Sequence, residues 1–303
     1  MNSKIFSSNL LKIPPKEIVS EINKNGVFYC EEALSEEFLE TLESDVESHK
    51  FNINENKPSG IYTLGQYYFV NLLSISQVFY DYLTSDLIKN TCSDFLGKNF
   101  RLKALRYYET YGRYHMQWHT DNKTDRALAD IPGLIFIFYI SDVSDGEFQY
   151  IQGSQDLSSH SSYNDYSDEF IAKNFADKVL SFKGPRGSLI IYNTYGIHRA
   201  KPSYDSRLVR KSVFFQVDKD ISNSEPIMLN TAFHKNKDPW VDQFLGIGLQ
   251  QSYGGFPETC DKYLPTKIKV KSIIKLTLGL AYNLVFSFKP LLKIVRFIKK
   301  VLR

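Results

Sequence analysis

The tripeptide His119-Thr120-Asp121 brings an imidazole and a carboxylate together in one short stretch. On an extended segment, residues two apart project to the same side, so His119 and Asp121 can grip one ion. His198 follows seventy-nine residues after His119, closing the run LIIYNTYGIH, which reads as a strand ending in the histidine. A third ligand from a neighbouring strand completes one face of an octahedron and leaves the other open. Two imidazoles, one carboxylate and free positions suit a non-haem Fe(II) centre that must also take up a cosubstrate and O2. A lone HxD is more often surface polarity than a metal site. What carries the reading here is the set: HxD, some eighty residues of strand-like sequence, a strand closing on Gly-Ile-His, and an arginine at the head of the next strand.

That arginine is Arg210, at the start of an apolar strand reaching Val217. A dicarboxylic 2-oxo acid chelates iron through its 2-oxo end, so its far carboxylate needs a fixed cation, and arginine offers a two-pronged fork that lysine lacks. Arg210 and Ser212 stand two apart and face the same way on a strand. Arg207 is the alternative anchor, and an ordinary solvent-facing charge is the plainer account of either arginine.

The elements that must position these residues are legible from periodicity. Helices are predicted over 16–26, over 35–48 with Ser35 as N-cap, and over 85–96. An apolar run, VFYC, starts at Val27, and a stretch of aromatic and mixed residues reaches Tyr80. From Phe100 to Val217 the texture is that of strands: RLKALRYYE, GLIFIFYIS, GEFQYIQG, GSLIIYNT and KSVFFQV, separated by Gly, Asp, Ser and Pro clusters. Such spacing predicts a sandwich or barrel. The polar segment 158–173 is long for a connector and is expected to be a lid or insertion. Tyr107, Tyr108, Tyr111 and Tyr114 either pack a strand or line a pocket, His115 reads as a residue behind the ligands or on the surface, and His160 and His234 have no partner pattern.

On these residues the chain resembles the phytanoyl-CoA dioxygenase-like family of Fe(II)/2-oxoglutarate-dependent oxygenases. The likeness rests on WHTD from Trp118, the stretch Gly146 to Ser154, GPRGSLIIYNTYGIHRA from Gly184, VRKSVFFQV from Val209, and the N-terminal NGVFYCEEALSEEFLETL, and it covers roughly residues 15 to 220. It implies a mainly β (α+β) fold, a double-stranded β-helix of jelly-roll or cupin-like type with flanking N-terminal helices. It also implies Fe(II) on His119, Asp121 and His198, and 2-oxoglutarate on Arg210 with help from Ser212. Where the family often reads GDV before the last metal strand, this chain has GSL at Gly187 to Leu189, and its His198-to-Arg210 spacing is about one residue longer, which keeps Arg207 in view. Related halogenases lack the carboxylate, so Asp121 favours hydroxylation or another oxidation, with succinate and CO2 released.

Charge is divided along the 303 residues. The net charge is +3, yet residues 266–303 hold ten Lys or Arg and no acid, leaving 27 basic against 34 acidic side chains before them, a net of −7. An acidic body speaks against nucleic-acid binding. In the tail, thirteen uncharged residues from Leu276 to Phe288 fall short of the ~20 that cross a bilayer. The following KPLLKIVRFIKKVLR places Leu291, Ile294, Val295, Ile298, Val301 and Leu302 on one helical face and Lys293, Arg296, Lys299, Lys300 and Arg303 on the other, a pattern suited to an anionic membrane surface and equally to packing on the acidic body. Three dispersed cysteines, Cys30, Cys92 and Cys260, suggest neither a disulfide framework nor a zinc site, and no secretory leader opens the sequence. The expectation is a cytoplasmic enzyme, peripheral at an inner membrane face if the tail binds lipid, acting on a small or lipid-linked molecule. Its oxygenase domain spans 1–220, with a peripheral extension over 221–265 and a basic tail over 266–303. A non-catalytic cupin-like binding protein and a membrane-peripheral scaffold are the competing classes.

Overall fold

In a computed structural model the described residues are 2–50, 61–63, 66–111, 116–121, 131–157, 166–205, 208–222, 224–235, 238–251 and seven positions between 270 and 281. The N-terminal region is helical: α1 (Asn2–Ile5), α2 (Ser8–Leu11), α3 (Pro15–Asn25), then β1 (Val27–Cys30) and α4 (Glu36–His49). Pro15 opens α3, where its missing N–H costs nothing, and Gly26 ends it at φ +84°. A side chain at Gly26 is excluded twice, by that left-handed backbone and by the Tyr150 hydroxyl 2.4 Å from where a Cβ would stand. Ser35 caps α4 as expected, its Oγ accepting from the Phe38 N–H at 3.2 Å.

The stretch up to Tyr80 that sequence left unassigned forms β2 (Ile61–Thr63), β3 (Gln66–Phe69), α5 (Leu72–Ile75) and part of α6 (Gln77–Leu83), followed by α7 (Asp86–Leu96). The main strands are β4 (Arg101–Tyr111), β5 (Gly133–Tyr139), β6 (Val143–Ile151), β7 (Val179–Gly184), β8 (Leu189–Asn193), β9 (His198–Ala200) and β10 (Val209–Asp218), with α8 (Asp168–Phe175) between β6 and β7 and α9 (Pro239–Leu245) after β10. The large sheet runs β1-β8-β5-β10-β4-β3-β2, the small one β7-β6-β9, and every pairing is antiparallel. From β4 onward the chain shuttles between them, the jelly-roll pattern of two facing sheets.

Burial explains the layering. The outer face of the large sheet is covered by helices, and Phe38, Leu39, Leu42, Tyr82, Phe136, Phe138 and Phe215 share one core. A second cluster, including Ile135, Tyr139, Phe148, Tyr150, Ile190 and Tyr192, fills the space between the sheets. One sequence expectation needs correction. The run LIIYNTYGIH is not one strand: β8 ends at Asn193, a turn follows, and His198 opens β9 in the other sheet. The part of the 158–173 connector that is described is mostly helix, because Ser167 caps α8 through the Phe170 N–H. In the extension after β10, Val241, Phe244 and Leu245 of α9 are buried in the main core, and His234 lies between Tyr80 and Asp242 at 2.9 and 2.8 Å.

Candidate metal centre

His119 and His198 are joined before any ion is considered. The His119 N–H donates to the His198 carbonyl at 3.0 Å and the His198 N–H to the His119 carbonyl at 2.9 Å, an isolated antiparallel bridge between the HTD segment and β9. Asp121 is tied one step further on, its N–H donating to the Thr194 carbonyl at 3.2 Å, just past the end of β8. The three candidate ligands singled out in the sequence therefore meet where the HTD segment, β9 and the turn after β8 come together.

Their side chains converge as well. Candidate ligand atoms of His119, Asp121 and His198 all lie within 4.8 Å of one another. His119 Nε2 is 3.8 Å from Asp121 Oδ1, and His198 Nε2 is 3.3 Å from Asp121 Oδ2. Ligands about 2.1 Å from one ion and at right angles stand about 3 Å apart, so the spacing fits a shared octahedral face. The imidazoles are only 2% and 3% exposed. Each Nδ1–H donates to the carbonyl two residues earlier, Gln117 at 2.7 Å for His119 and Gly196 at 3.0 Å for His198. That fixes the tautomer and turns the Nε2 lone pairs toward Asp121. Burial holds His198 neutral, its pKa lowered to about 4 despite the opposing pull of the Asp121 carboxylate. Two imidazoles and a carboxyl group with no thiolate among them make a donor set that fits a first-row divalent metal such as Fe(II).

The sequence did not point to Tyr192. Its hydroxyl lies 3.3 Å from both Asp121 Oδ2 and His198 Nε2 and donates to the carboxylate. Burial first, and then the Asp121 charge, pushes the phenol pKa far up, so it stays protonated. The available signal was alternation along β8, where an inward Ile190 implies an inward Tyr192. Gly196 is equally specific: a Cβ there would sit 1.7 Å from the Tyr150 hydroxyl, so only glycine can place the carbonyl that orients His198.

The three candidate ligands face a cavity of about 200 Å³ whose wall also includes Arg210, Ser212, Phe214 and Gln216, alternate residues of β10, with Ile137 and Tyr139 beside them on β5 and Phe148 from β6 of the other sheet. Arg210 donates through Nη1 to the Gly146 carbonyl, and its Nη2 lies 3.5 Å from Thr110 Oγ1. Tyr108 lines this cavity, whereas Tyr107 is buried on the other side of β4 and donates to Glu109 at 2.9 Å. Arg207, Tyr114, His115, His160 and Cys260 lie outside the described residues. Trp118 secures α8 beside the centre: its indole N–H donates to Asp168 at 3.0 Å, and Arg199 stacks 4.3 Å over the ring while reaching Asp168 at 2.5 Å.

No family model and no curated relative matches the sequence, so the resemblance to the phytanoyl-CoA dioxygenase-like family stays a resemblance. Solved structures show the fold. HygX from Streptomyces hygroscopicus, determined with nickel and 2-oxoglutarate bound, is similar at a TM-score of 0.53 and 14% identity, over 67% of this chain and 86% of that one. The α-ketoglutarate-dependent carbocyclase SnoK of nogalamycin biosynthesis gives 0.52 and 13%, over 71% and 87%, and the epimerase SnoN of the same biosynthesis 0.51 and 12%, over 82% and 94%. The fold is that of non-haem 2-oxoglutarate-dependent enzymes.

Proposed function

We propose that this chain is an Fe(II)/2-oxoglutarate-dependent oxygenase of the phytanoyl-CoA dioxygenase-like type that hydroxylates a small molecule. The observation that carries the reading is one cavity holding both ends of the chemistry, His119, Asp121 and His198 at one place on its wall and the Arg210 guanidinium with Ser212 at another. His119, Asp121 and His198 would hold the iron. Arg210 and Ser212 would take the far carboxylate of 2-oxoglutarate, the arginine as a charged fork and the serine as a hydroxyl donor. Bound there, iron and 2-oxoglutarate would supply the oxidising power for an O2-dependent hydroxylation, with succinate and CO2 as co-products.

The chain's own part is to orient and to exclude water. The Gln117 and Gly196 carbonyls keep both imidazoles in the ligating tautomer, and Tyr192 holds one carboxylate oxygen of Asp121. Phe148, Ile137 and Phe214 provide apolar walls that keep bulk water from the reacting face. A small-molecule substrate agrees with the relatives in fold, one of which was determined with hygromycin B bound, while others serve nogalamycin biosynthesis.

The tail supports a second element of the reading, contact with an anionic membrane surface that would bring a lipid-linked substrate within reach. Val270, Ile273, Ile274, Leu278 and Leu280 are helical and 50 to 65% exposed, in a segment whose charges are all positive. No helix among the described residues is long and apolar enough to cross a membrane. Sedimentation with vesicles containing phosphatidylserine, lost on truncation at residue 265, tests this element separately.

The test of the core reading is anaerobic titration with Fe(II) and then 2-oxoglutarate, following the weak visible band of a chelated 2-oxo acid. The band is expected in the wild type, absent in His198→Ala, and shifted to roughly tenfold or more higher 2-oxoglutarate concentration in Arg210→Ala. A wild type without a band would make the centre a binding site at most.

A further inference from the structure

At the Arg210 end of the cavity a row of three side chains crosses the large sheet, and one of them has no role so far. Gln66 on β3 pairs with Thr110 on β4, and Thr110 pairs with Arg210 on β10. The three stand abreast on adjacent strands, and all line the cavity. Gln66 is 5% exposed. Its Nε2 is 3.3 Å from Thr110 Oγ1, and Thr110 Oγ1 is 3.5 Å from Arg210 Nη2. Its Oε1 is buried with no hydrogen-bond partner.

A buried amide oxygen without a donor is costly, and the O and N positions of a glutamine amide exchange by a half-turn of the group. In the turned orientation the donors and acceptors run in one direction. Arg210 donates to the Thr110 oxygen, Thr110 donates its hydroxyl hydrogen to the amide oxygen, and the amide NH2 takes the position that now lacks a partner. The end of the row is then a donor, two hydrogen bonds from the guanidinium, on a side chain that lines the cavity. Such a row recognises an anion with more than one oxygen.

We propose that Gln66, aligned by Thr110, shares the far carboxylate of 2-oxoglutarate with Arg210, so that the hairpin β2–β3 supplies part of the cosubstrate site. This rests on the 2-oxoglutarate reading above. Gln66 acts as a donor to the ligand and Thr110 as a positioning residue. A packing role would treat all 2-oxo acids alike, whereas this one discriminates by the far carboxylate.

The experiment is anaerobic titration of the Fe(II)-loaded full chain with 2-oxoglutarate and, separately, with 2-oxobutyrate, which keeps the chelating end and lacks the far carboxylate. Gln66→Leu is expected to weaken 2-oxoglutarate by roughly tenfold, the contribution of one charge-assisted hydrogen bond, and to leave 2-oxobutyrate unchanged. Gln66→Glu, of equal size, weakens 2-oxoglutarate further by setting a negative charge against it. Thr110→Val acts in the same direction with smaller effect, and Fe(II) affinity stays constant in all three. If Gln66→Leu does not fold, the near-isosteric Gln66→Glu and Thr110→Val carry the comparison. A wild-type band with 2-oxoglutarate affinity unaltered by these substitutions overturns the assignment alone, as does an equal loss for both acids. No band in the wild type with either acid overturns the 2-oxoglutarate reading and this assignment with it.

Discussion

The two ends of the cavity are built in opposite ways. At the metal end each imidazole is oriented by a carbonyl two residues back along its own chain, Gln117 for His119 and Gly196 for His198. At the other end Gln66, Thr110 and Arg210 meet across sequence separations of 44 and 100 residues, through the register of three strands. Both ends need distant segments to pair, but at the metal end one bridge joins the segments and local backbone then orients each ring, whereas the second site takes its whole alignment from sheet register. A row across strands is lost if one strand slips by a residue, because every side chain then changes face.

The largest effect should come from removing a ligand. His198→Ala is expected to abolish iron retention after anaerobic loading and desalting, measured by metal analysis, and retention at the wild-type level would remove the metal end from the comparison. Next is Gly196→Ala, where the new Cβ would stand 1.7 Å from the Tyr150 hydroxyl. Crowding of this kind costs about 1–3 kcal/mol, read from denaturant unfolding, and iron affinity should fall with it because the carbonyl behind His198 moves.

A pH effect follows in size. Free histidine titrates near about 6.5, and burial lowers His198 to about 4. Between these values the unfolded chain takes up a proton that the folded, metal-free chain refuses. Stability from this source is complete above about pH 6.5 and declines as pH falls through the window, with a slope approaching about 1.4 kcal/mol per pH unit. His198→Gln should flatten that slope in unfolding curves at pH 4.5 to 6.5, and an unchanged slope would place its origin elsewhere. The smallest effect is the sharpest test of locality. The Gln117 side chain is exposed and only its carbonyl serves His119, so Gln117→Ala should leave iron affinity unchanged, and a tenfold loss would show that the side chain takes part.

This contrast also accounts for what the sequence disclosed. His119, Asp121 and His198 could be picked out because residue type and a two-residue spacing were enough, and Arg210 because it heads an apolar strand. Helices α3, α4 and α7 were readable from their apolar spacing and, for α4, a serine cap. Gln66 and Thr110 carried no such signal: a glutamine in an aromatic stretch becomes informative only once β3 is known to pair with β4. Tyr192 was hidden in the same way, by a face assignment that needed the facing sheet. The turn that moves His198 from β8 into β9 was obscured because TYGI has no proline and no charged residue to interrupt the run. No periodicity separates one long strand from two joined by a corner.

The reciprocal backbone bonds between His119 and His198 bear on chain entropy. Bringing together two points 79 residues apart costs a flexible chain about 4 kcal/mol. In this protein peptide groups have already closed that loop, so an arriving ion finds its ligands gathered and need not organise them. Its affinity would accordingly reflect bond formation with little deduction for ordering, and the protein should hold its fold when stripped of metal, unlike small domains that the ion itself must assemble.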